Sequence, residues 1–476
     1  MSNEEPTLSA AALDHIRSTA AVYDAAPDTL RWPSRTYRGL LAVHYRYLIP
    51  PDASVLEVGC GGGQLLAELP NRDVTGVDIS QRQLDYARAR LPHGIFVHQS
   101  GETLSLGRKF DVIILSDTLN FAADVHALLE RLQSVSDEHT RLVVNFQSQL
   151  WRPLLQLAAM LGLKTKQEGN NWLAGPDIAS LAEQTDWQII SRQAAILFPI
   201  RCLGLERIVN RYIAPFLPFL CLSVFLVARP LRRAARSVTV SIVIPARNEA
   251  GNIEAAVQRT PEMGAWTEMI FVEGNSTDRT WAEIQRIKAA YPGKRIKILQ
   301  QSGRGKGNAV RDGFAVAEGE ILMILDADLT MPPEELPKFY HAIAANRAEL
   351  ANGSRLVYPM EKRAMQFLNM CANKVFGLSF SWLLGQSVKD TLCGTKVLRR
   401  SDYEKVAGNR KYFGDFDPFG DFDLLFGASK LNLKIIDIPI RYTERTYGTT
   451  NIHRWRHGWL LLQMLIFAAK RIKFIG

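Results

Sequence analysis

The apolar positions of this chain fall into two successive sets of short β-type runs, separated by one basic stretch. In the first set, residues 54–63 read SVLEVGCGGG, so Val55 to Val58 predict a buried strand and the glycines a turn. QLLAEL follows directly and predicts the start of a helix. A second strand is predicted in DVTGVDIS, ending on Asp78. Residues 212–228, YIAPFLPFLCLSVFLVA, are the most apolar internal run. At 17 residues, with Pro215 and Pro218 inside, it is a poor membrane span; a loop and then a buried strand are expected.

The pattern restarts after RPLRRAARS (229–237), which is basic and polar and predicts a linker. VTVSIVIPARNEAGNI predicts a β-branched strand stopped by Pro245, with Asn248 and Glu249 opening a helix. MIFVEGNSTDRT predicts a second strand ending in an acidic turn, and GRGKGNAVRDGF (303–314) a basic loop entering a helix. EILMILDADLT predicts a third strand that ends on Asp326 and Asp328. Near the C-terminus, an apolar run from Trp459 to Ala469 is flanked by Arg454, Arg456, Lys470, Arg471 and Lys473. As a helix at ~1.5 Å per residue it reaches only about half of a ~30 Å hydrocarbon core. Aromatic and basic ends suit an amphipathic helix lying in a membrane interface. FLNMCANKVFGLSFSWLLGQ (367–386) is a second interfacial segment by the same criterion. The plain alternative for both is a core helix packed on a sheet.

Composition narrows the partners. A chain of 476 residues, 47% hydrophobic and 22% charged, is globular and long enough for two or more cores. Its net charge of +9 suits anionic surfaces or phosphorylated substrates. The cations gather beside apolar segments and no nucleic-acid-binding motif stands out, so anionic lipid is expected and nucleic acid is not. Five scattered cysteines without CxxC imply reduced thiols in a cytosolic compartment. The N-terminus, MSNEEPTLSAAALD, is acidic and lacks the apolar centre of a secretory signal.

A glycine turn between strand and helix lets the backbone approach a ligand without an intervening Cβ. Asp78, 21 residues after Glu57, is spaced to accept from ribose hydroxyls. The sixth place of a dinucleotide GxGxxG fingerprint holds Gln64, whereas Glu57, Gly59, Gly61 and Gly63 spell ExGxGxG. This resembles motif I of the class I S-adenosylmethionine (SAM)-dependent methyltransferases, over roughly residues 40–230. FDVIILSDTLNF (110–121), RLVVNF (141–146), WQIISRQ and SVFLVARP fit the later strands of that fold. The resemblance implies SAM as cofactor, held by Glu57, Gly59, Gly61, Gly63 and Asp78. It places an acidic residue near the adenine around Ser100, Gly101 and Glu102. Asp117, after the fourth strand, either faces the methyl acceptor or caps a helix.

In the second set, residues i and i+2 of a strand point the same way, so Asp326 and Asp328 can face one ligand together. Two like charges that close need a cation, and Mg²⁺ or Mn²⁺ would bind them to a diphosphate. The pieces in this order resemble a family-2 glycosyltransferase of the GT-A fold, over about residues 238–453. Within it they are similar to the polyprenyl-phosphate sugar transferases, the group of dolichol-phosphate mannose synthase. The resemblance implies an inverting, metal-dependent transfer from a nucleotide-sugar donor to a polyprenyl phosphate or other lipid acceptor. Asp326 and Asp328 would hold the metal, with Thr330 a further ligand. Pro245, Asn248, Glu249, Glu273, Asp278, Lys306 and Arg445 would meet the donor. Gly274 and Asn275 replace an acidic residue and a glycine of the family's turn, which leaves the nucleotide open among UDP, GDP and others. Arg355, Lys362, Arg363 and Lys396 would meet the acceptor phosphate. Asp423 is the base an acceptor hydroxyl would need, and Asp421 could share that role.

The expected fold class is therefore α/β with two domains. A Rossmann-like methyltransferase spans 1–230, a linker 231–237, a GT-A transferase 238–453 and an interfacial helix 454–476. The expected location is cytoplasmic, peripheral on the inner face of the cell membrane. Two other readings stay open: a glycosyltransferase with a glycan or small-molecule hydroxyl acceptor, and a glycosyltransferase whose SAM-binding half is a sensor or scaffold. The sequence sets no oligomeric state.

Overall fold

Each apolar set folds into its own sheet. The structure is a computed structural model and describes residues 8–28, 32–160, 171, 173–231, 237–355, 367–410, 422–443, 445, 447 and 454–475. The chain divides into Met1–Arg232 with Lys473–Gly476, and Arg233–Ile472.

The first unit contains β1 (Val55–Val58), β2 (Val74–Asp78), β3 (Ile95–His98), β4 (Val112–Ser116), β5 (Arg141–Gln147), β6 (Trp187–Ala195) and β7 (Ser223–Pro230). Their order is β3-β2-β1-β4-β5-β7-β6, with β7 antiparallel to both neighbours. Apolar side chains alternate to the two faces. Val55, Val74, Val112 and Val143 pack with Leu41 and Tyr45 of the helix Trp32–Leu48. Leu56, Ile113, Leu115 and Val144 pack with Leu128, Leu129 and Leu132 of the helix Val125–Leu132. A sheet covered on both faces explains why these strands read as unbroken apolar runs. The order reverses between β1 and β4, which opens a crevice at their carboxyl ends.

The helix expected at QLLAEL does not form. Only a tight turn, Leu66–Glu68, follows the glycines. Pro70 disfavours a helical residue before it, and Leu69 is accordingly extended, with ψ 146°. The run 212–228 becomes short helical turns up to Leu220 and then the wholly buried β7, as expected.

The second unit contains β8 (Val240–Ala246), β9 (Thr267–Glu273), β10 (Arg295–Gln300), β11 (Ile321–Ile324), β12 (Leu350–Ser354), β13 (Lys396–Arg399) and β14 (Ile435–Pro439). The order is β10-β9-β8-β11-β13-β12-β14, and only β13 runs against its neighbours. Two strand ends differ from expectation. Pro245 lies inside β8 rather than stopping it. Pairing with β11 ends at Val243, so the N–H that proline lacks has no partner to lose there. Conversely, β11 stops at Ile324, and Asp326 and Asp328 lie in the loop beyond it.

The C-terminal run forms a helix, Arg454–Ile472, that lies against the helix Phe367–Leu384. It buries Leu461, Met464, Ala468 and Ile472 as one stripe and leaves Trp459, Leu462 and Ile466 exposed. Among the described residues, no helix is long and apolar enough to cross a membrane.

Candidate functional sites

In the first unit the glycine loop leaves β1 with Gly59 in the left-handed region, φ +76°. A Cβ there would strike the Thr118 side chain at 2.8 Å, so the loop from β1 and the turn after β4 touch only because residue 59 is glycine. Thr118 Oγ1 donates to the Val58 carbonyl at 2.8 Å and closes the same contact. Asp78 accepts the Gly61 N–H at 2.8 Å and the Ser80 N–H at 2.9 Å, so the acid ending β2 sets the shape of the loop. Burial pushes the Asp78 carboxyl up, and these N–H groups only partly oppose it. Beneath the loop, Glu57 is 2% exposed and its Oε2 finds no hydrogen-bond partner among the described residues. Burial raises its carboxyl to about 8 against the pull of Arg38, and Asp78 adds to the rise. A buried, unsatisfied acceptor under a glycine loop fits a ligand that brings its own donors. Glu102 is turned inward: it accepts from Ser100 Oγ and from the Ala123 N–H at 2.8 Å.

Asp117 is left-handed, φ 57°, an uncommon conformation for a non-glycine residue. It precedes a short helical turn but makes no capping bond to it. Its carboxylate accepts from Asn145 Nδ2 at 2.9 Å and from Tyr37 Oη at 3.3 Å. Tyr45 donates to Asn145 Oδ1 at 2.6 Å, and Tyr37 also meets Ser223 Oγ at 2.9 Å. Sequence reading missed Tyr37, Tyr45, Asn145 and Ser223. The one signal was Asn145, a polar residue inside the apolar RLVVNF.

In the second unit the donor-side residues converge. Alternation continues past β11, because Leu325, Ala327 and Leu329 are buried and Asp326 and Asp328 stay partly exposed. Each aspartate meets a different cation. Lys306 Nζ lies 2.6 Å from Asp326, and Arg445 Nη2 lies 2.5 Å from Asp328. Lys306 begins the helix Lys306–Ala315 directly after Gly305, φ +85°. Arg445 also reaches Glu249 Oε1 at 3.2 Å, and Thr330 Oγ1 donates to Asp328 at 2.9 Å. Burial raises the Glu249 carboxyl, with Arg445 opposing.

Asn248, left-handed at φ 57°, accepts the Thr277 N–H at 2.8 Å and donates its own N–H to Ser276 Oγ at 3.1 Å. Glu273 accepts the Ser276 N–H at 2.5 Å. These bonds knit the turns after β8 and β9 into one wall. Burial acts to raise the Asp278 carboxyl, but bonds from Thr280 and the Ala250 N–H outweigh it and hold it below the usual carboxylate range.

Gly394 lies just before β13. A Cβ there would land on Asp326 Oδ2 and Lys306 Nζ. Among the described residues no group of three or more His, Cys, Asp or Glu is placed to hold a metal. Two carboxylates whose remaining ligands come from diphosphate and water still suit Mg²⁺ or Mn²⁺.

The predicted acceptor residues are placed differently. Arg355 forms a bidentate pair with the fully buried Asp390, at 2.7 and 2.8 Å. Lys396 is fully buried and donates to the Cys393 carbonyl. Asp423, in the first turn of the helix Phe422–Lys430, pairs with Arg410 at 2.9 Å. Asp421, Lys362 and Arg363 lie outside the described residues.

A family model described as a methyltransferase domain matches residues 55–138, and one for glycosyl transferase family 2 matches 241–407. The chain is 38% identical over 220 residues to dolichol-phosphate mannosyltransferase of Pyrococcus furiosus, covering 45% of this chain and 59% of the relative. It is 28% identical to polyprenol monophosphomannose synthase of Mycolicibacterium smegmatis, covering 44% and 80%. It is also 28% identical to undecaprenyl-phosphate 4-deoxy-4-formamido-L-arabinose transferase of Edwardsiella ictaluri, covering 44% and 61%. The chain thus spans about three fifths of the length of the first of these.

Among solved structures, a SAM-dependent methyltransferase of Thermotoga maritima shows 16% identity and a TM-score of 0.32, over 41% of this chain and 91% of that one. Glucosyl-3-phosphoglycerate synthase of Mycobacterium tuberculosis with Mn²⁺ and UDP shows 20% and 0.35, over 49% and 80%. With both sheets, both loops and both family matches in place, the chain joins an N-terminal methyltransferase domain to a glycosyl transferase family 2 domain.

Proposed function

We propose that the second domain transfers a sugar, with inversion, from a nucleotide-sugar to a polyprenyl phosphate, and that the first transfers a methyl group from SAM. The observation that carries the sugar-transfer reading is the pairing of Asp326 with Lys306 and of Asp328 with Arg445. Each cation lies beside a carboxylate and in a segment predicted to meet phosphate. A bound Mg²⁺ or Mn²⁺, held by Asp326 and Asp328, would supply the positive charge that stabilises the departing nucleoside diphosphate. Lys306 and Arg445 would then turn to phosphate oxygens. A lipid phosphate is ionised at neutral pH and needs no base. The Arg410 partner of Asp423 suits that reading, because it holds the candidate base in an ion pair. The relatives named for dolichol, polyprenol and undecaprenyl phosphates point the same way.

In the first domain, Glu57, Asp78 and the glycines would hold SAM, whose sulfonium supplies the methyl group. Methyl transfer depends mostly on alignment, and the bonds from Tyr37 and Asn145 fix Asp117 for that purpose. Trp459, Leu462 and Ile466 with the flanking cations would place the C-terminal helix at the cytoplasmic membrane face.

The test supplies purified protein with Mn²⁺, a panel of labelled nucleotide-sugars and a polyprenyl phosphate, followed by organic extraction. Labelled lipid from one donor is expected. Label appearing only in water-soluble glycan would replace this reading with a hydroxyl acceptor. Labelled SAM that gives no methylated product in any extract would reduce the first domain to a sensor.

A further inference from the structure

We propose that the methyltransferase domain carries its own docking surface for an anionic lipid bilayer, formed by the segment Ile200–Leu220 and the helix Arg152–Met160. The proposal is independent of the sugar-transfer reading, and the Phe474 ring packs on Tyr212 and Phe216 at one edge of this surface, with centroids 5.7 and 6.1 Å away.

From Leu205 to Phe216 the chain is nearly continuous helical turns. One side is anchored: Ala214 and Glu206 are buried, and Asn210 bonds the Phe198 N–H and carbonyl, both at 2.8 Å. That anchoring turns the other side outward. Leu205, Ile208, Tyr212 and Phe216 recur at helical spacing and are 49–60% exposed, and Phe219 beyond them is 67% exposed. Leu203, in the turn before the helix, is fully exposed. The neighbouring helix adds Leu154, Leu157 and Met160, also exposed and three apart. Trp151 Nε1 donates to the Leu220 carbonyl at 2.7 Å and joins the two pieces. Single exposed apolar residues are ordinary, but a bulky apolar set gathered on two adjoining segments marks a contact surface.

Charge selects the occupant. Residues 149–160 and 196–220 contain four cations, Arg152, Arg201, Arg207 and Arg211, and one acid, Glu206. Glu206 is 5% exposed and accepts the N–H groups of Cys202 and Gly204, so it adds little negative surface. Arg201 and Arg207 are exposed at the margin of the apolar set. An apolar face whose described charged residues, apart from the buried Glu206, are all cations complements anionic headgroups over acyl chains. A second copy of the chain would bring the same cations face to face, which like-charge repulsion opposes.

The experiment is co-sedimentation of the full chain with phosphatidylcholine vesicles, with and without phosphatidylglycerol. Three proteins are compared: wild type, the double variant Phe216→Glu/Phe219→Glu, and the double variant Arg201→Glu/Arg207→Glu. All keep the C-terminal helix, and SAM binding checks the fold of each. The arginine pair changes only exposed cations, so it stands if the phenylalanine pair misfolds. We expect wild type to sediment with anionic vesicles, and either variant to partition about tenfold or more weakly. Solution mass by light scattering should be unchanged. Equal sedimentation of all three proteins would assign docking to the C-terminal helix alone and overturn the proposal. So would a wild type that fails to sediment, or a phenylalanine variant that changes oligomeric state while its vesicle binding does not change.

Discussion

Arg445 stands 2.5 Å from Asp328 and gives the second aspartate of the acidic pair a counter-charge that it shares with Glu249. Removing the guanidinium leaves that carboxylate, and Glu249 beside it, without their shared cation. Arg445→Ala should therefore bind free Mn²⁺ several-fold more tightly while sugar transfer falls by about tenfold or more. Titration calorimetry with metal alone reads the first effect, and unchanged Mn²⁺ affinity would remove Arg445 from the metal site.

Gly394 tests the other half of the pair. Its missing Cβ makes room for Asp326 and Lys306 at once. Gly394→Ala should cost about tenfold or more in turnover, while the rest of the domain keeps its thermal stability to within a few degrees. Transfer at the wild-type rate would show that the pair shifts aside without consequence.

The two candidate aspartates should separate on mutation. Asp328→Asn is expected to abolish sugar transfer, and Asp423→Asn to keep part of it, because an ionised phosphate attacks without a base. Steady-state rates with a polyprenyl phosphate acceptor decide this. Equal loss in both would count against a phosphate nucleophile.

Glu57 gives the first domain a pH signature. Its folded carboxyl is raised to about 8 from the ordinary 4.5, with burial the main cause. Between those values the folded state holds a proton that the unfolded state has released, so stability falls as pH rises through that window, by up to about 1.4 kcal/mol per unit. Glu57→Gln should raise the unfolding temperature of this domain at pH 7.5 and leave it nearly unchanged at pH 4.5. Scanning calorimetry across that range checks it; a variant with the wild-type slope would show that Glu57 is ionised in the fold.

The central strands, such as β1, β4, β8 and β11, were legible because they are buried on two faces and read as apolar runs with glycine or acid near their ends. The edge strands β3 and β10, partly exposed, and the polar β12 and β13 were not read. The site was legible where chemistry is local, as in Asp326 with Asp328 or Glu57 with the glycines. It was not legible where the partner comes from far along the chain. Nothing near Asp117 announces Tyr37 or Asn145, and nothing near Asp423 announces Arg410. QLLAEL shows a different failure: its apolar pattern promised a helix, and Pro70 cut the room for one. The exposed face at 205–219 escaped notice because an apolar run reads alike whether it faces a core or a membrane.

The reversed direction of β13 has a consequence for how this half of the molecule can vary. Because it runs against β11, pairing Ile321 with Arg399 and Met323 with Val397, its start returns to the place where β11 ends. The excursion between Asp326 and Gly394 carries β12, which pairs with β13, so only its connecting loops can lengthen or shorten without disturbing that meeting point. A slip of one residue in the pairing cannot be absorbed, since it would seat Cys393 or Thr395 where two opposite charges now touch.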